Sequence, residues 1–337
     1  MHSTLDIAVV GATGVVGEMM LRVLSERQFP VGKVYPLASE SSAGNKVFFG
    51  EKRLTVQDLS TFDFSKVQIA FFSAGSEVSA EYAPKAADLG CIVIDNTSCF
   101  RYERDVPLII PEVNPTAIED YRERNIIANP NCSTIQMLVA LKPIYDALGI
   151  SRINVSTYQS VSGAGKKAIE ELASQTAQLM NGQEAIGDVF PVQMAFNAIP
   201  HIDEFQDNGY TKEEMKMVWE THKIFGNSDI EVNPTAVRVP VFYGHSEAIH
   251  IETNQATSAE EVKSILQQAP GVVVVDDGDE YPTAITHAAD QDAVYIGRIR
   301  QDLSQSNGVN LWVVADNIRK GAATNAVQIA ELLLPIL

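Results

Sequence analysis

The stretch Leu5-Asp-Ile-Ala-Val-Val-Gly-Ala-Thr-Gly-Val-Val-Gly17 decides the fold class of this chain. Its run Ile7–Val10 is short and apolar, as in a buried strand, and residues 15–24 carry apolar side chains at helical spacing. Three glycines, at positions 11, 14 and 17, let the backbone turn tightly and approach a pyrophosphate at the helix N-terminus. A purely structural turn with close helix packing would use the same glycines. Strand, glycine turn and helix in this order predict a dinucleotide-binding unit at the start of the chain.

Short β-branched runs alternate with helical patterns through the first 130 residues. They predict further strands at 33–37, 67–72, 92–94 and 126–128 and a helix at 77–88. Strands that are apolar throughout are typical of a parallel sheet with helices on both faces. We therefore expect an α/β, Rossmann-like dinucleotide-binding domain over residues 1–130.

From about residue 152 the pattern changes to strands of a mostly antiparallel sheet. The predicted strands are 153–159, 236–242, 248–253, 272–275, 294–300 and 310–314, and the predicted helices are 166–180 and 259–268. The last segment, Arg319–Leu334, has the spacing of one amphipathic helix. We expect an α+β second domain over residues 131–317, and a helix within 318–337 that packs back on the first domain.

The composition limits the possible partners. The chain has 337 residues with 43 acidic and 25 basic side chains, a formal net charge of −18. A field of that sign repels nucleic acid and anionic membranes. Three cysteines without CxxC spacing indicate neither a disulfide framework nor a metal site. Residues 1–6 have no signal-peptide pattern, and no apolar run approaches the roughly 20 residues of a membrane span. We expect a cytoplasmic protein with small-molecule ligands.

Pro130-Asn-Cys-Ser-Thr134 is the strongest candidate for a reactive site. It separates a predicted strand from an apolar helix, so Cys132 would stand at a helix N-terminus. The positive end of the helix dipole favours thiolate there, and thiolate is the nucleophilic form. An inert core cysteine is the alternative. Cys91 has that context, whereas the context of Cys99 fits either role.

A reactive thiol needs a proton shuttle, and His245 is the best-placed histidine for it. It lies in Tyr243-Gly-His-Ser246, a glycine turn between two predicted strands, where functional side chains often project. The histidines at 201, 222, 250 and 287 have the contexts of surface or packing residues, and the one at position 2 is terminal.

A second glycine turn, Ser73-Ala-Gly75, follows the predicted strand 67–72. At the carboxyl end of a parallel strand it would line the same dinucleotide crevice as the first turn. An ordinary strand-to-helix loop would have the same sequence.

Taken in order, five motifs span nearly the whole chain: Gly11–Gly17, Pro130–Thr134, Tyr158-Gln-Ser-Val-Ser-Gly163, Arg238–His245 and Val314-Ala-Asp-Asn-Ile-Arg-Lys320. Together they resemble the aspartate-β-semialdehyde dehydrogenases, and among bacterial forms the Gram-positive type most closely. The resemblance implies an oxidoreductase that reversibly converts L-aspartyl 4-phosphate and NADPH into aspartate semialdehyde, NADP and phosphate. This step leads to lysine (through diaminopimelate), threonine and methionine. It also implies a second domain of the semialdehyde dehydrogenase type, with catalytic residues and a sheet that forms a homodimer interface.

The resemblance assigns three catalytic roles. Cys132 would be the nucleophile, His245 the acid and base, and Gln159 the residue that orients the acyl intermediate. Covalent catalysis of this kind splits one hard step into two easier ones, because a thioester forms before phosphate attacks.

The resemblance also assigns the substrate-binding residues. Arg101, with Asn131 and Lys216, would bind phosphate, Arg238 would hold the substrate carboxylate, and Glu213 would face the amino group. A planar guanidinium matches carboxylate and phosphate oxygens in bidentate fashion, so two arginines suit the two anionic ends of one substrate.

NADP is the cofactor that the resemblance implies, with NAD as a weaker substitute. The residues implied for its binding are Gly11, Thr13, Gly14, Val15, Val16, Ser39, Ser41, Ser42, Ser73, Ala74, Gly75, Ser162, Gly163 and Asn317. In Leu37-Ala-Ser-Glu-Ser-Ser42, however, Ser41 occupies the place of the family's usual arginine for the 2′-phosphate. Glu40 also stands about 20 residues beyond the glycines, where an acid would bind the ribose of NAD. We expect a modest preference for NADP.

Two alternatives remain. An N-acetyl-glutamyl-phosphate reductase would have the same architecture, but its acetylated substrate would not need an acid such as Glu213. A non-catalytic homologue that binds nucleotide would not need Cys132, Gln159 and His245. Whether Glu213 or Glu214 faces the substrate stays open at this level.

Overall fold

The computed structural model describes residues 4–337. Residues 1–3, which include His2 and half of the stretch without a signal-peptide pattern, lie outside the described residues. The chain divides into two compact units. The first contains the chain up to Asn131 together with Gly321–Leu337, and the second contains Cys132–Lys320.

The helices and strands are numbered along the chain. The α-helices are α1 (Val15–Glu26), α2 (Ser76–Asp88), α3 (Cys132–Leu148), α4 (Lys166–Met180), α5 (Lys212–Phe225), α6 (Ala259–Leu266) and α7 (Thr324–Leu333). The strands are β1 (Leu5–Val10), β2 (Val31–Ala38), β3 (Lys46–Phe49), β4 (Lys52–Thr55), β5 (Gln57–Asp58), β6 (Ile69–Phe72), β7 (Ile92–Asp95), β8 (Ile126–Ala128), β9 (Ile150–Gln159), β10 (Glu231–Arg238), β11 (His245–Thr253), β12 (Val272–Val274), β13 (Val294–Gln301) and β14 (Gly308–Ala315).

The first unit is built on a parallel sheet with the strand order β5-β2-β1-β6-β7-β8. Its inner strands are apolar because they are buried: β6 reads Ile-Ala-Phe-Phe and is inaccessible along its whole length. The predicted α/β class and its strands are confirmed, with slightly different bounds. The hairpin of β3 and β4 was not predicted, since its alternation of Lys, Arg and apolar residues is short.

The C-terminal segment packs into the core of the first unit. Ala326, Ile329 and Leu333 of α7 belong to the same cluster as Ile7 of β1. The prediction of one amphipathic helix over Arg319–Leu334 was wrong in detail. A π-helical turn, Arg319–Ala323, precedes α7. α7 is buried on most sides rather than along one stripe, and a helix in that position has no need of a polar face.

The second unit contains a mixed sheet with the order β10-β9-β11-β14-β13-β12. β9 lies parallel to β10 and antiparallel to β11, and β14 is antiparallel to both of its neighbours. The strand predicted at 236–242 instead ends at Arg238, shortly before Pro240, which has no backbone N–H to donate to a sheet. His245 is accordingly the first residue of β11 and not a turn residue.

Helix α5 was not predicted. Its start is nevertheless encoded locally, because Thr211 and Glu214 form a capping box: the Thr211 hydroxyl accepts from the Glu214 N–H, and the Glu214 carboxylate accepts from the Thr211 N–H. Within residues 4–337, no helix has the length and apolar character needed to cross a membrane.

Candidate active site

Cys132 is the first residue of α3, as the sequence predicted. It is partly accessible, whereas Cys91 is fully buried. Burial raises the pKa of the Cys91 thiol to about 12. The pKa of Cys99 is also raised, first by burial and then by the carboxylates of Asp95 and Glu103. Neither of those two thiols has an environment that favours thiolate, so Cys132 has the best position for a nucleophile.

His245 and Gln159 come together because β11 and β9 are adjacent antiparallel strands, with Ser246 opposite Tyr158. Gln159 ends β9 and His245 begins β11, and Nε2 of Gln159 lies 3.5 Å from Nε2 of His245. His245 is fully buried, and its pKa is lowered to about 3, chiefly by burial and then by the charge of Arg238. Glu213 and the Gly244 backbone act in the opposite direction but more weakly. His245 is therefore neutral at physiological pH.

A line of polar contacts runs from Gln159 through the start of α5. Gln159 Nε2 donates to Glu213 Oε1 at 3.1 Å, while its Oε1 accepts from the Thr157 hydroxyl at 3.0 Å. The other carboxylate oxygen of Glu213 accepts from Lys216 Nζ at 2.9 Å. These bonds fix which end of the Gln159 amide is nitrogen, and they hold the Glu213 carboxyl group in a buried position.

Arg238, the last residue of β10, is the remaining charged side chain of this group. Its Nη1 donates to the Ser160 carbonyl at 2.7 Å, and its side chain is almost entirely buried. Burial lowers the pKa of the guanidinium, while the charges of Glu213 and Cys132 raise it. Arg238 thus lies within electrostatic range of both the carboxylate and the candidate nucleophile.

Lys216, predicted to help bind phosphate, is held by two carboxylates. Besides Glu213, it donates to Asp203 Oδ2 at 2.7 Å. Burial opposes its charge, but the two carboxylates more than offset this and raise its pKa. Asp203 was not predicted, and its contact with Lys216 depends on how the loop before α5 folds back.

Arg101 and Asn131, the other predicted phosphate ligands, are both buried in the first unit. Arg101 Nε donates to the Asn129 carbonyl and Nη2 to the Asn96 carbonyl, each at 2.9 Å. These bonds hold the guanidinium plane in place, and the phosphate-binding role of both residues stays a prediction.

The glycine turn after β1 has the properties that a pyrophosphate site needs. Gly11 has a φ of +84°, and a Cβ there would lie 2.9 Å from the backbone of Ser73, in the second glycine turn. α1 begins after Gly14 without a side-chain cap, and residues 13–16 are not buried. Both features fit a dinucleotide whose phosphates lie at the N-terminus of α1.

The segment after β2 carries the residues that are predicted to contact the 2′-phosphate of NADP. Glu40–Ser42 is a short 3₁₀ turn, and the hydroxyls of Ser39 and Ser41 are 3.0 Å apart. Ser39, Glu40 and Ser41 are all exposed. Hydroxyl donors are available there, but the turn itself contributes no positive charge.

Three further predicted cofactor residues, Ser162, Gly163 and Asn317, lie in the second unit. Asn317 Oδ1 accepts from the Gly244 N–H at 3.0 Å and lies 3.1 Å from the hydroxyls of both Ser160 and Ser162. The Asn317 side chain therefore has a structural function beside His245, whether or not it touches a cofactor. Among the described residues 4–337, no group of three or more His, Cys, Asp or Glu could hold a metal ion.

Two family models match the chain. The NAD-binding domain of the semialdehyde dehydrogenases matches residues 6–121, and their dimerisation domain matches residues 141–320. Together they cover most of the chain, and they agree with the parallel sheet of the first unit and the mixed sheet of the second. The chain belongs to the semialdehyde dehydrogenase family.

Within that family, the chain is similar to aspartate-semialdehyde dehydrogenases. Those of Shewanella violacea and Legionella pneumophila are 64% and 63% identical to it, over 99% of this chain and 99% and 96% of theirs. The crystal structure of aspartate semialdehyde dehydrogenase II from Vibrio cholerae, complexed with ASA, is 61% identical over 99% of both chains, with a TM-score of 0.98. The interpretation of the chain as an aspartate-semialdehyde dehydrogenase is confirmed. The two alternatives, an N-acetyl-glutamyl-phosphate reductase and a non-catalytic nucleotide-binding homologue, are not supported.

The predicted closeness to the Gram-positive type was wrong. The Bacillus subtilis enzyme is 50% identical over 98% of this chain and 97% of its own, well below the relatives from Shewanella and Legionella. The family match does show a nucleotide cofactor of the NAD(P) kind and supports the predicted homodimer.

Proposed function

We propose that this enzyme interconverts L-aspartate 4-semialdehyde and L-aspartyl 4-phosphate through a thioester on Cys132, in the cytoplasm and with NADP as the preferred cofactor. One observation carries the proposal. The second unit gathers a basic, an acidic and a neutral hydrogen-bonding side chain, Arg238, Glu213 and Gln159, around His245, and Cys132 acts electrostatically on Arg238. A nucleophilic thiol also suits a reducing compartment.

The charges match an amino-acid substrate. Arg238 can donate to the α-carboxylate in a bidentate ion pair, and Glu213 can accept hydrogen bonds from the α-ammonium group. The neutral amide of Gln159, fixed between Thr157 and Glu213, can orient the acyl group. An acetylated amine carries no charge and could not form an ion pair with Glu213, which argues for a free amino acid.

In the oxidative direction, the Cys132 thiolate attacks the aldehyde carbon. The new C–S bond forms as the C=O electron pair moves to oxygen, and His245 stabilises the charge on that oxygen. The glycine turn after β1 would hold NAD(P), which would supply the acceptor for the hydride that leaves this carbon. Cys132 then holds the acyl group as a thioester, and attack by phosphate releases the acyl phosphate and regenerates the thiolate.

The phosphate would be bound by Arg101, Asn131 and Lys216. Arg101 is held rigidly by two backbone carbonyls, and Lys216 carries a firmly protonated ammonium group. Because Asp203 and Glu213 share Lys216, a bound phosphate must compete with two carboxylates for it.

The preference for NADP rests on the hydroxyls of Ser39, Ser41 and Ser42. A neutral hydrogen bond is worth roughly half a charge-assisted one, so the loss of the usual arginine would weaken discrimination by about 1 kcal/mol. NAD is accordingly expected to work at higher concentration. Glu40 is exposed, and its position alone does not favour NAD over NADP.

The homodimer would form through the sheet face of the second unit that points away from Gln159. Tyr158 and Trp312 lie on this face with ring centroids 5.6 Å apart, and Tyr158 is 37% exposed. Tyr158→Asp should therefore yield a monomer by size-exclusion chromatography with light scattering. Phe48→Asp, at an exposed site on β3, should leave the dimer intact.

The direct test of the function is a phosphate-dependent assay of aspartate semialdehyde oxidation, run with NADP and NAD in parallel. We expect NAD(P)H formation to require both aldehyde and phosphate for repeated turnover. Equal rates with N-acetyl-glutamate semialdehyde, or multiple turnover without phosphate, would contradict the proposal.

A further inference from the structure

The α4–α5 segment, residues 181–211, is irregular for most of its length and is long for a connection inside a compact domain. Backbone groups in such a segment need hydrogen-bond partners other than those of a helix or a sheet. Two buried side chains of α4, Glu171 and Gln175, supply several of them. The path of the segment therefore depends on α4.

The Glu171 carboxyl group binds three consecutive backbone N–H groups of the segment. Its Oε2 accepts from Asp188 and Val189 at 2.7 Å each, and its Oε1 accepts from Phe190 at 3.3 Å. The backbone comes so close that a Cβ at Gly187 would overlap the carboxyl group. A buried glutamate is costly without such partners, so these bonds account for its position on the inner face of α4.

One turn further along α4, Gln175 binds the next part of the segment. Its Oε1 accepts from the N–H groups of Met194 and Ala195 at 2.9 and 3.0 Å, and its Nε2 donates to Glu171 at 3.2 Å. Both ends of the amide are thus engaged. Together the two side chains hold residues 188–195 against the helix.

Apolar packing holds the segment against the same face of α4. One small buried cluster contains residues of α4, of the segment and of the turn after β9: Ala168, Leu172, Met194, Ala195, Ile199 and Val161. On α4, the apolar members stand three or four residues from Glu171 or Gln175, so one face of the helix carries both kinds of contact.

Ile199 connects the segment to Arg238. The Ile199 N–H donates to the Arg238 carbonyl at 2.9 Å, and the Ile199 carbonyl accepts from the Arg238 N–H at 2.8 Å. Both backbone hydrogen-bonding groups of Arg238 are therefore used by this one residue. Because β10 is the outermost strand at its end of the sheet, the segment supplies the neighbour on the outer side of Arg238.

The guanidinium end of Arg238 depends on the same cluster. Its Nη1 donates to the Ser160 carbonyl at 2.7 Å, and the next residue, Val161, packs in the cluster with Ile199. The two ends of the arginine are thus held by groups that share one small core. A shift of that core would move the guanidinium away from a bound carboxylate.

We propose that Glu171 and Gln175 of α4 are positioning residues for Arg238. They act through the α4–α5 segment, whose residue Ile199 holds the Arg238 backbone. This inference rests on the proposed function for the task of Arg238, which is to hold the substrate carboxylate. A displacement of about 1 Å in a group that positions the substrate can cost about a hundredfold in rate, so the support of Arg238 matters for turnover.

The first test needs no substrate and no activity. Amide hydrogen exchange of the full-length enzyme is measured by mass spectrometry for Glu171→Ala, with Glu170→Ala, at an exposed position of the same helix, as the matched control. In Glu171→Ala we expect faster exchange in peptides from residues 188–199 and in the peptide that contains Arg238, and in Glu170→Ala no change in either. An unchanged Arg238 peptide in Glu171→Ala would overturn the proposal, even if the enzyme oxidises aspartate semialdehyde as proposed.

Three further variants keep this test decisive if Glu171→Ala does not fold. Gln175→Ala removes the bonds to Met194 and Ala195, and Gly187→Ala adds a Cβ that must push the Glu171 carboxyl group aside. Both should also speed exchange in the Arg238 peptide. Glu171→Gln keeps one carbonyl oxygen for the backbone N–H groups and should change exchange less than these two variants do.

The second test determines whether the effect on catalysis passes through Arg238. Glu171→Ala should raise the KM for aspartate semialdehyde about tenfold and leave the KM for phosphate nearly unchanged, because Arg238 would hold the carboxylate and not the phosphate. In an Arg238→Ala background, the same change should have little further effect, since the effects of residues that act through one group are not additive. Equal fold-changes in both backgrounds would indicate a general loss of structure and contradict the proposal.

The two tests separate this inference from the proposed function. If Arg238→Ala leaves the KM for the aldehyde unchanged, the task given to Arg238 is wrong, while the exchange measurement still decides whether Glu171 and Gln175 hold it in place. If Arg238→Ala raises that KM but a folded Glu171→Ala enzyme has the KM of the wild type, the proposed function stands and the positioning role is refuted.

Discussion

Glu213 and Glu214 are adjacent at the start of α5, but their carboxylates face different groups. Glu213 accepts from Gln159 and Lys216, whereas Glu214 accepts from the backbone N–H groups of Thr211 and Ala236. The Glu214 carboxylate is therefore engaged in bonds to the backbone. Glu213 stays the predicted ligand of the substrate amino group.

Substitution of the two glutamates should separate function from stability. Glu213→Gln should raise the KM for aspartate semialdehyde by about ten- to a hundredfold, because a charge-assisted hydrogen bond to the ammonium group is worth about 1.5–3 kcal/mol. Glu214→Ala should instead lower the free energy of unfolding by about 1–2 kcal/mol through the lost cap. Steady-state kinetics and thermal unfolding of both variants check this. A raised KM in Glu214→Ala, with only a loss of stability in Glu213→Gln, would show that Glu214 binds the substrate amino group.

Arg101 and Arg238 should affect different substrates. Loss of either guanidinium removes a charge-assisted hydrogen bond, so each Ala variant should lose at least about ten- to a hundredfold in kcat/KM. Arg101→Ala should raise the KM for phosphate more than that for the aldehyde, and Arg238→Ala should do the opposite. Two-substrate kinetics measure this, and identical effects on both Michaelis constants would refute the division of roles.

The cofactor preference should depend on position 41. Ser41→Arg should increase the ratio of kcat/KM for NADP to that for NAD about tenfold, because a guanidinium beside the exposed Ser39 would form a charge-assisted bond to the 2′-phosphate. Glu40→Gln provides the matched control for charge at the same turn and should change the ratio much less. A wild-type enzyme that prefers NAD, together with a large effect of Glu40→Gln, would show that Glu40 binds the ribose.

Glu247 should make the fold less stable at high pH. It is fully buried, and burial raises its pKa, an effect that the nearby Gln136 only partly opposes. The folded state therefore keeps a proton that the unfolded chain releases above the ordinary pKa of Glu, and stability falls as the pH rises.

Glu247→Gln keeps the shape but cannot ionise, so it should have a higher Tm than the wild type at pH 8 and a similar Tm at pH 4. Glu184→Gln, at an exposed loop position, is the control and should change neither value. Thermal unfolding at equal protein concentration gives the comparison. A Tm difference for Glu247→Gln that does not depend on pH would show that Glu247 is ionised in the fold.

Local patterns predicted the parts of the molecule that local physics determines. The apolar run of β1, the glycines and the helical spacing of α1 lie within about twenty residues, and the structure has them as expected. Helix α4 begins and ends at the predicted residues, and Cys132 starts α3. These features need no information about distant segments.

Features that depend on distant segments could not be predicted. The contact of Ser160 with His245 joins residues 85 positions apart and requires the β9–β11 register. Asp203 reaches Lys216 only through the fold of an irregular loop. The different contacts of Glu213 and Glu214 likewise join residues 54 and 22 positions apart, Gln159 with Glu213 and Ala236 with Glu214.

The most direct test of the account is whether the substrate becomes attached to Cys132. The enzyme is mixed with aspartate semialdehyde and NADP in the absence of phosphate, quenched in acid, and its peptides are analysed by mass spectrometry. We predict one burst of NADPH per active site and an aspartyl adduct on the peptide that contains Cys132, with neither in Cys132→Ala. An adduct on Cys99, or near-normal turnover by a folded Cys132→Ala enzyme, would contradict the central claim.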